Sequence, residues 1–281
     1  MDKNLLIFDM EGTLGDYIDN KSMHPPFLKL RPVNLIDGLK ELRDSNKYHI
    51  VCASHAIKKA IKPQLEYMKS NGFEFEEVFS AEDTRINNPF DSEEMSYIYH
   101  LKNLSKIYLR LGLNSKEIQE KVLVIEDLQL HKDKIYIGDG RFGERNEEYL
   151  IFEPIALGEF HTMGTPFPEK GQTPTVLLVP NHRLFQETVS MRDLVEIINE
   201  IYNRGDKNFL EGFNRINDPR FIKCTTNMMK CPECQFEYAT QEYPDTKKFK
   251  EEITGDFVHN YLIINPNKMK MLYEPEIIKL E

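Results

Sequence analysis

The stretch Asp9-Met10-Glu11-Gly12-Thr13 sets two carboxylic acids two positions apart, with a glycine after the second. In a strand-to-turn conformation, carboxylates at i and i+2 can flank one ligand, and Gly12 relieves the tight turn. Phosphate-ester hydrolysis through a phospho-enzyme needs a carboxylate nucleophile, an acid for the leaving oxygen, a divalent cation and donors for the phosphoryl oxygens. Asp9 and Glu11 can supply the first two: Asp9 would attack phosphorus, and Glu11 would give and later take a proton. Elsewhere in a chain such a string marks only a turn. Here it follows the apolar run NLLIF, and that placement makes it a candidate site.

Two more polar groups share the placement. Ser54-His55 follow the apolar run YHIVCA, and Glu126-Asp127 follow KVLVI. The elements that must position them can be read from the pattern. Asn4 to Asp9, Tyr48 to Ala53 and Lys121 to Ile125 read as buried parallel strands, and Glu77 to Ser80 as a short one. Between them, Val33 to Ser45 puts Leu35, Ile36, Leu39 and Leu42 on one helical face. A second helix spans Ala56 to Ser70 and stops at Asn71-Gly72, and Leu101 to Leu111 returns to helical spacing. Alternating strands and helices imply right-handed crossovers and an α/β fold with a doubly wound, mostly parallel sheet. In such sheets ligands bind beyond the carboxyl ends of the strands, where Asp9, Ser54 and Glu126-Asp127 all fall.

The Asp9–Thr13 string after a buried N-terminal strand resembles the first motif of the haloacid-dehalogenase superfamily. Residues 3–130 are similar in pattern to its FCP/NIF-like phosphatases, which include enzymes acting on the polymerase C-terminal domain. The resemblance rests on LRPVNLIDGLKEL with YHIVCAS, and on LKNLS followed by LGLNSKEIQEKVLVIED. It implies a Rossmannoid core and Mg²⁺-dependent hydrolysis of a phosphomonoester through an aspartyl-phosphate. Ser54 then matches the family's phosphoryl-binding Ser or Thr, with a helix N-cap as the bland alternative. Lys102 matches the lysine that neutralises the phosphoryl group, with Lys106 one turn away as its competitor. Thr13, Ser54 and His55 are the candidates for substrate contact. Mg²⁺ would be held by Asp9, the Glu11 backbone carbonyl and Glu126-Asp127, since magnesium takes oxygen ligands and keeps water. Asp139, after the strand-like IYIG, competes for the last position.

The sequence departs from that pattern at Glu11 and Glu126, where the subgroup usually has aspartate. Enolase-phosphatase-like members share D-x-E-G-T, so Glu11 is compatible with activity. Its longer arm moves the acid by about one carbon–carbon bond, enough to affect rate or substrate choice. Two other readings stay open: a catalytically impaired binding module and a nucleic-acid end phosphatase. Little chain separates Leu14 from Ile50, or Ser54 from Lys102, beyond the expected elements. The site therefore reads as open, which suits a phosphoprotein or another macromolecule.

The 281 residues divide into a catalytic core over 1–150 and an α+β C-terminal extension over 151–281. The extension holds the strand-like Thr175 to Val179, a helix opened by Ser190 with Asp193 following, and the strand-like Tyr261 to Ile264. Cys224, Cys231 and Cys234 form C-x₆-C-x₂-C, a candidate structural zinc site. His182, His259 or another chain's cysteine would be the fourth ligand, and ordinary reduced thiols the alternative. Cys52 reads as core packing. Hydrophobic residues at 40% and charged residues at 29% are ordinary for a globular protein. No run is long enough to span a bilayer, and no export signal is legible, so the expected location is cytoplasmic with no membrane partner. A net charge of −10 argues against general nucleic-acid binding while leaving room for a local basic patch.

Overall fold

The computed structural model describes residues 2–19, 25–54, 56–84, 104–128, 130–131, 134–137, 141–144, 150–151, 174–181, 187–224, 260–272 and 275–280. The chain opens with β1 (Asn4–Phe8), the hairpin β2 (Gly15–Ile18) and β3 (Phe27–Leu30), and α1 (Leu35–Asp44). Then come β4 (Tyr48–Ala53), α2 (Lys58–Ser70), β5 (Glu77–Phe79) and α3 (Ala81–Thr84). Two short helices, α4 (Leu104–Arg110) and α5 (Ser115–Lys121), lead into β6 (Val122–Leu128). Four short strands follow: β7 (Leu130–His131), β8 (Lys134–Ile137), β9 (Arg141–Glu144) and β10 (Leu150–Ile151). The remainder comprises β11 (Thr175–Pro180), α6 (Met191–Arg204), α7 (Phe209–Arg215), β12 (Phe221–Cys224), β13 (Asn260–Ile264) and β14 (Glu276–Lys279).

Seven strands form one sheet in the order β12-β13-β11-β6-β1-β4-β5. All neighbours in it run parallel except β12, which is antiparallel to β13 at the edge. The mostly parallel α/β fold is therefore the one expected. Residues after 150 do more than follow it, because β11, β13 and β12 continue the same sheet outward from β6. A second, three-stranded antiparallel sheet joins β2 and β3 to β14 near the C-terminus.

Both faces of the large sheet are covered, which is why its strands read as unbroken apolar runs. One face presents Leu6, Phe8, Ile50, Cys52, Leu123, Ile125, Leu177 and Val179 to α1, α2, α6 and α7. The other presents Leu5, Ile7, Val51, Val122, Val124, Val176 and Leu178 to α4 and α5. Helix α6 shows how local signals fix an element. Ser190 caps it by accepting the Asp193 N–H at 3.0 Å, and Leu194, Ile197, Ile198 and Ile201 are all buried. Such a cap contributes about 1 kcal/mol.

Several boundaries differ from those the sequence suggests. Helix α1 starts at Leu35 rather than at Val33, because Val33 and Asn34 adopt φ of 63° and 58°. Strand β6 runs on through Glu126 and Asp127, since β11 pairs alongside them, Leu178 with Glu126 and Val179 with Asp127. The strand-like IYI segment falls in β8, which pairs antiparallel with β9 apart from the large sheet. Among the described residues, no helix is long and apolar enough to cross a membrane.

Candidate active site

Strand β1 lies inside the sheet, between β4 and β6, so whatever follows Phe8 emerges within the sheet's carboxyl edge. The Asp9 N–H still bonds the Ile125 carbonyl at 3.0 Å, holding Asp9 in the strand direction beside β6. The chain then turns sharply. The Met10 carbonyl accepts from both Leu14 N–H (2.9 Å) and Gly15 N–H (3.0 Å), and Gly12 sits at φ +76°. A side chain at Gly12 would clash as well as strain: a Cβ there would lie 2.7 Å from Asn181 Nδ2 and 2.8 Å from Asp127 Oδ2. Both its conformation and its crowding therefore require glycine.

Asp9, Glu126 and Asp127 converge, each offering a carboxylate oxygen within 4.8 Å of those of the others. Asp9 and Glu126 are each only 5% exposed, and Asp127 is half-buried. Three carboxylates held that close form a set of hard oxygen donors that fits a divalent cation of the Mg²⁺ type.

The partner acid is placed by β4. Ser54, fully buried, donates its hydroxyl to Glu11 Oε2 at 2.7 Å and accepts the Ala56 N–H at 2.9 Å. Its own N–H is anchored on the Phe79 carbonyl at 2.9 Å. Ser54 does not cap α2; that position belongs to Ile57, whose side chain makes no cap bond. Thr13 is fully buried: its carbonyl accepts from Arg31 Nε, and its hydroxyl has no partner among the described residues.

The structure thus brings together Asp9, Glu11, Ser54, Glu126 and Asp127, and buries Thr13 within the turn. Lys102, His55, Asp139, Cys231 and Cys234 lie outside the described residues, as do His182 and His259. Cys224 ends β12, and Cys52 is buried in β4. Lys106, the alternative to Lys102, lies in α4 on the face of the sheet opposite α1 and α6.

Two residues not singled out from the sequence belong to this edge. Asn181 follows β11 directly, is 1% exposed, and donates its amide to Asp127 Oδ2. It carries the same signature as Asp9 and Ser54, a polar residue immediately after an apolar run. Arg31 is fully buried. Besides Thr13, it donates to Thr188 Oγ1 (2.8 Å), the Val189 carbonyl (2.9 Å) and the Pro180 carbonyl (3.3 Å). Burial, only partly offset by the Asp127 and Asp16 carboxylates, pushes its guanidinium down to about 9. It therefore remains cationic at neutral pH.

No protein-family model matches the chain, and no curated protein matches it. Among solved structures, the chain is similar to the fission yeast RNA polymerase II CTD phosphatase bound to beryllium fluoride. That match has 16% identity and a TM-score of 0.31, and covers 44% of this chain and 37% of that one. The chain is also similar to an uncharacterized protein from Listeria monocytogenes serotype 4b. Here the identity is 12% and the TM-score 0.36, over 71% of this chain and 99% of that one. At such TM-scores neither likeness carries an argument about activity, which has to come from the site itself.

Proposed function

We propose that the carboxyl edge hydrolyses a phosphomonoester, with Asp9 as nucleophile and Mg²⁺ held by Asp9, Glu126, Asp127 and the Glu11 carbonyl. The observation that carries this reading is the convergence of the Asp9, Glu126 and Asp127 carboxylates at the ends of adjacent parallel strands. When bound, the cation would offset the charge of the carboxylates and of the phosphoryl oxygens.

The remaining chemistry falls to the chain's own groups. An Asp9 oxygen attacks phosphorus while the bond to the ester oxygen breaks, and protonated Glu11 gives its proton to that leaving oxygen. Glu11, now a carboxylate, takes a proton from water as the water oxygen attacks phosphorus, which frees Asp9 and releases phosphate. The Ser54 hydroxyl, 2.7 Å from Glu11 Oε2, orients the longer glutamate arm toward that task. Thr13 and His55 are proposed to line the phosphoryl site, and Lys102 to neutralise its charge. A phosphoprotein is the substrate class we propose, from the short spacers between the motifs.

The test is hydrolysis of p-nitrophenyl phosphate with and without Mg²⁺, comparing wild type with Asp9→Asn. The reading expects Mg²⁺-dependent turnover that falls about a thousandfold or more in the variant. Equal, Mg²⁺-independent rates for the two proteins would overturn it and favour a binding module of the same fold.

A further inference from the structure

We infer that Asn181 and Arg31 are positioning residues that set the strength of the cation site, and that the end of β11 and the Thr188–Val189 segment thereby complete a site whose acids all precede residue 130. The inference rests on the Mg²⁺ reading above.

Strands β6 and β11 are parallel, with Val179 opposite Asp127 and Pro180 opposite Leu128. Side chains alternate along a strand, so Asn181 emerges on the same face as Val179 and Asp127. There its buried amide donates to Asp127 Oδ2. A donor on one carboxylate oxygen fixes the rotamer of an acid whose ligand atom lies within 4.8 Å of those of Asp9 and Glu126. Hydrogen bonds of this kind to a ligating carboxylate orient it for the metal.

Arg31 fixes the frame in which that bond forms. Its planar fork reaches the Thr13 carbonyl in the turn after β1, the Pro180 carbonyl beside Asn181, and the Thr188–Val189 segment before α6. The Thr188 hydroxyl also donates to the Pro180 carbonyl. A single buried cation therefore clamps the Gly12 turn against the end of β11. The close fit of Gly12, Asn181 and Asp127 is the result. A lysine has one point of charge in place of five donors and cannot hold all these segments at once.

The test is Mg²⁺ binding by titration calorimetry on the full chain, for wild type, Asn181→Ala, Arg31→Lys and Tyr48→Phe, each with its melting temperature. Tyr48 lies at the far edge of the sheet and controls for loss of stability alone. Asn181→Ala and Arg31→Lys are expected to weaken Mg²⁺ binding about tenfold or more, and Tyr48→Phe to leave it within about twofold. The Mg²⁺ concentration giving half-maximal turnover should rise by the same factor. Should the alanine variant fail to fold, Asn181→Ser keeps a polar side chain too short to reach Asp127, and the same loss is expected. Wild-type affinity in the folded Asn181 and Arg31 variants would overturn this inference and leave the Mg²⁺ reading standing. A wild-type protein that binds no Mg²⁺ would overturn both.

Discussion

The two edges of the large sheet are built on opposite rules. At the amino edge, where β1 and β4 begin, Tyr48 packs edge-on against Tyr202 and stacks on Phe209, with ring centroids 5.2 and 6.3 Å away. Two polar groups there are paired, the Tyr48 hydroxyl donating to Asn199 Oδ1 at 2.9 Å and Asn4 Nδ2 to the Lys207 carbonyl at 2.9 Å, while the buried Thr175 hydroxyl and His49 Nε2 have no hydrogen-bond partner among the described residues. At the carboxyl edge of the same strands, Asp9, Glu126 and Asp127 crowd together, a glycine is forced to positive φ, and a guanidinium is fully buried. Each of these costs folding free energy. Substitutions at the two edges should therefore separate stability from cation affinity.

Phe209→Ala should show the largest loss of stability. The side chain is fully buried, and such truncations cost about 3–5 kcal/mol. Urea denaturation should register that loss, while calorimetry should find Mg²⁺ affinity within about twofold of wild type among folded molecules. Gly12→Ala should do the reverse. Strain at φ +76° costs about 1–3 kcal/mol, but the added methyl also pushes on Asn181 and Asp127, so cation affinity and turnover should fall out of proportion to stability. A Gly12→Ala protein with undiminished Mg²⁺ affinity would mean that the turn does not shape the site.

The smallest effect is expected at Tyr48→Phe, which loses one hydrogen bond of about 1 kcal/mol. It also has a pH signature. Burial, then the neighbouring Tyr202, push the Tyr48 phenol above its ordinary 10.0. The folded protein keeps a proton that the unfolded chain loses, so this contribution is present below pH 10 and disappears as pH rises beyond it. Replacing Tyr48 by Phe should flatten the alkaline fall in stability measured between neutral pH and pH values above 10. An unchanged slope would place the titration elsewhere.

Much of the amino-terminal half is legible in the sequence because its strands are buried on both faces and its helices carry clear stripes. Tyr48–Ala53 and the cap at Ser190 fall where pattern and capping chemistry put them. The placement of Asp9, Ser54 and Glu126-Asp127 at strand ends is legible for the same reason. The hairpin β2–β3, strand β14 and helix α7 are not, being short, mixed in polarity and dependent on partners far away in the chain. Strands β11 and β13 can be recognised as strands, but nothing local says that they extend the sheet carrying Asp9. That long-range pairing is what hides Asn181. Arg31 is hidden differently: a lone arginine reads as surface, and only four donors meeting three carbonyls and a hydroxyl make its burial tolerable.

In the proposed mechanism the acidic edge makes and breaks a bond between Asp9 and phosphorus. Its most direct test is to mix the protein with radiolabelled p-nitrophenyl phosphate and Mg²⁺, quench in acid and look for label on the protein. Label that hydroxylamine removes, as it does from acyl phosphates, is expected on wild type, and none on Asp9→Asn. Label that persists in Asp9→Asn, or full turnover by that variant, would contradict it.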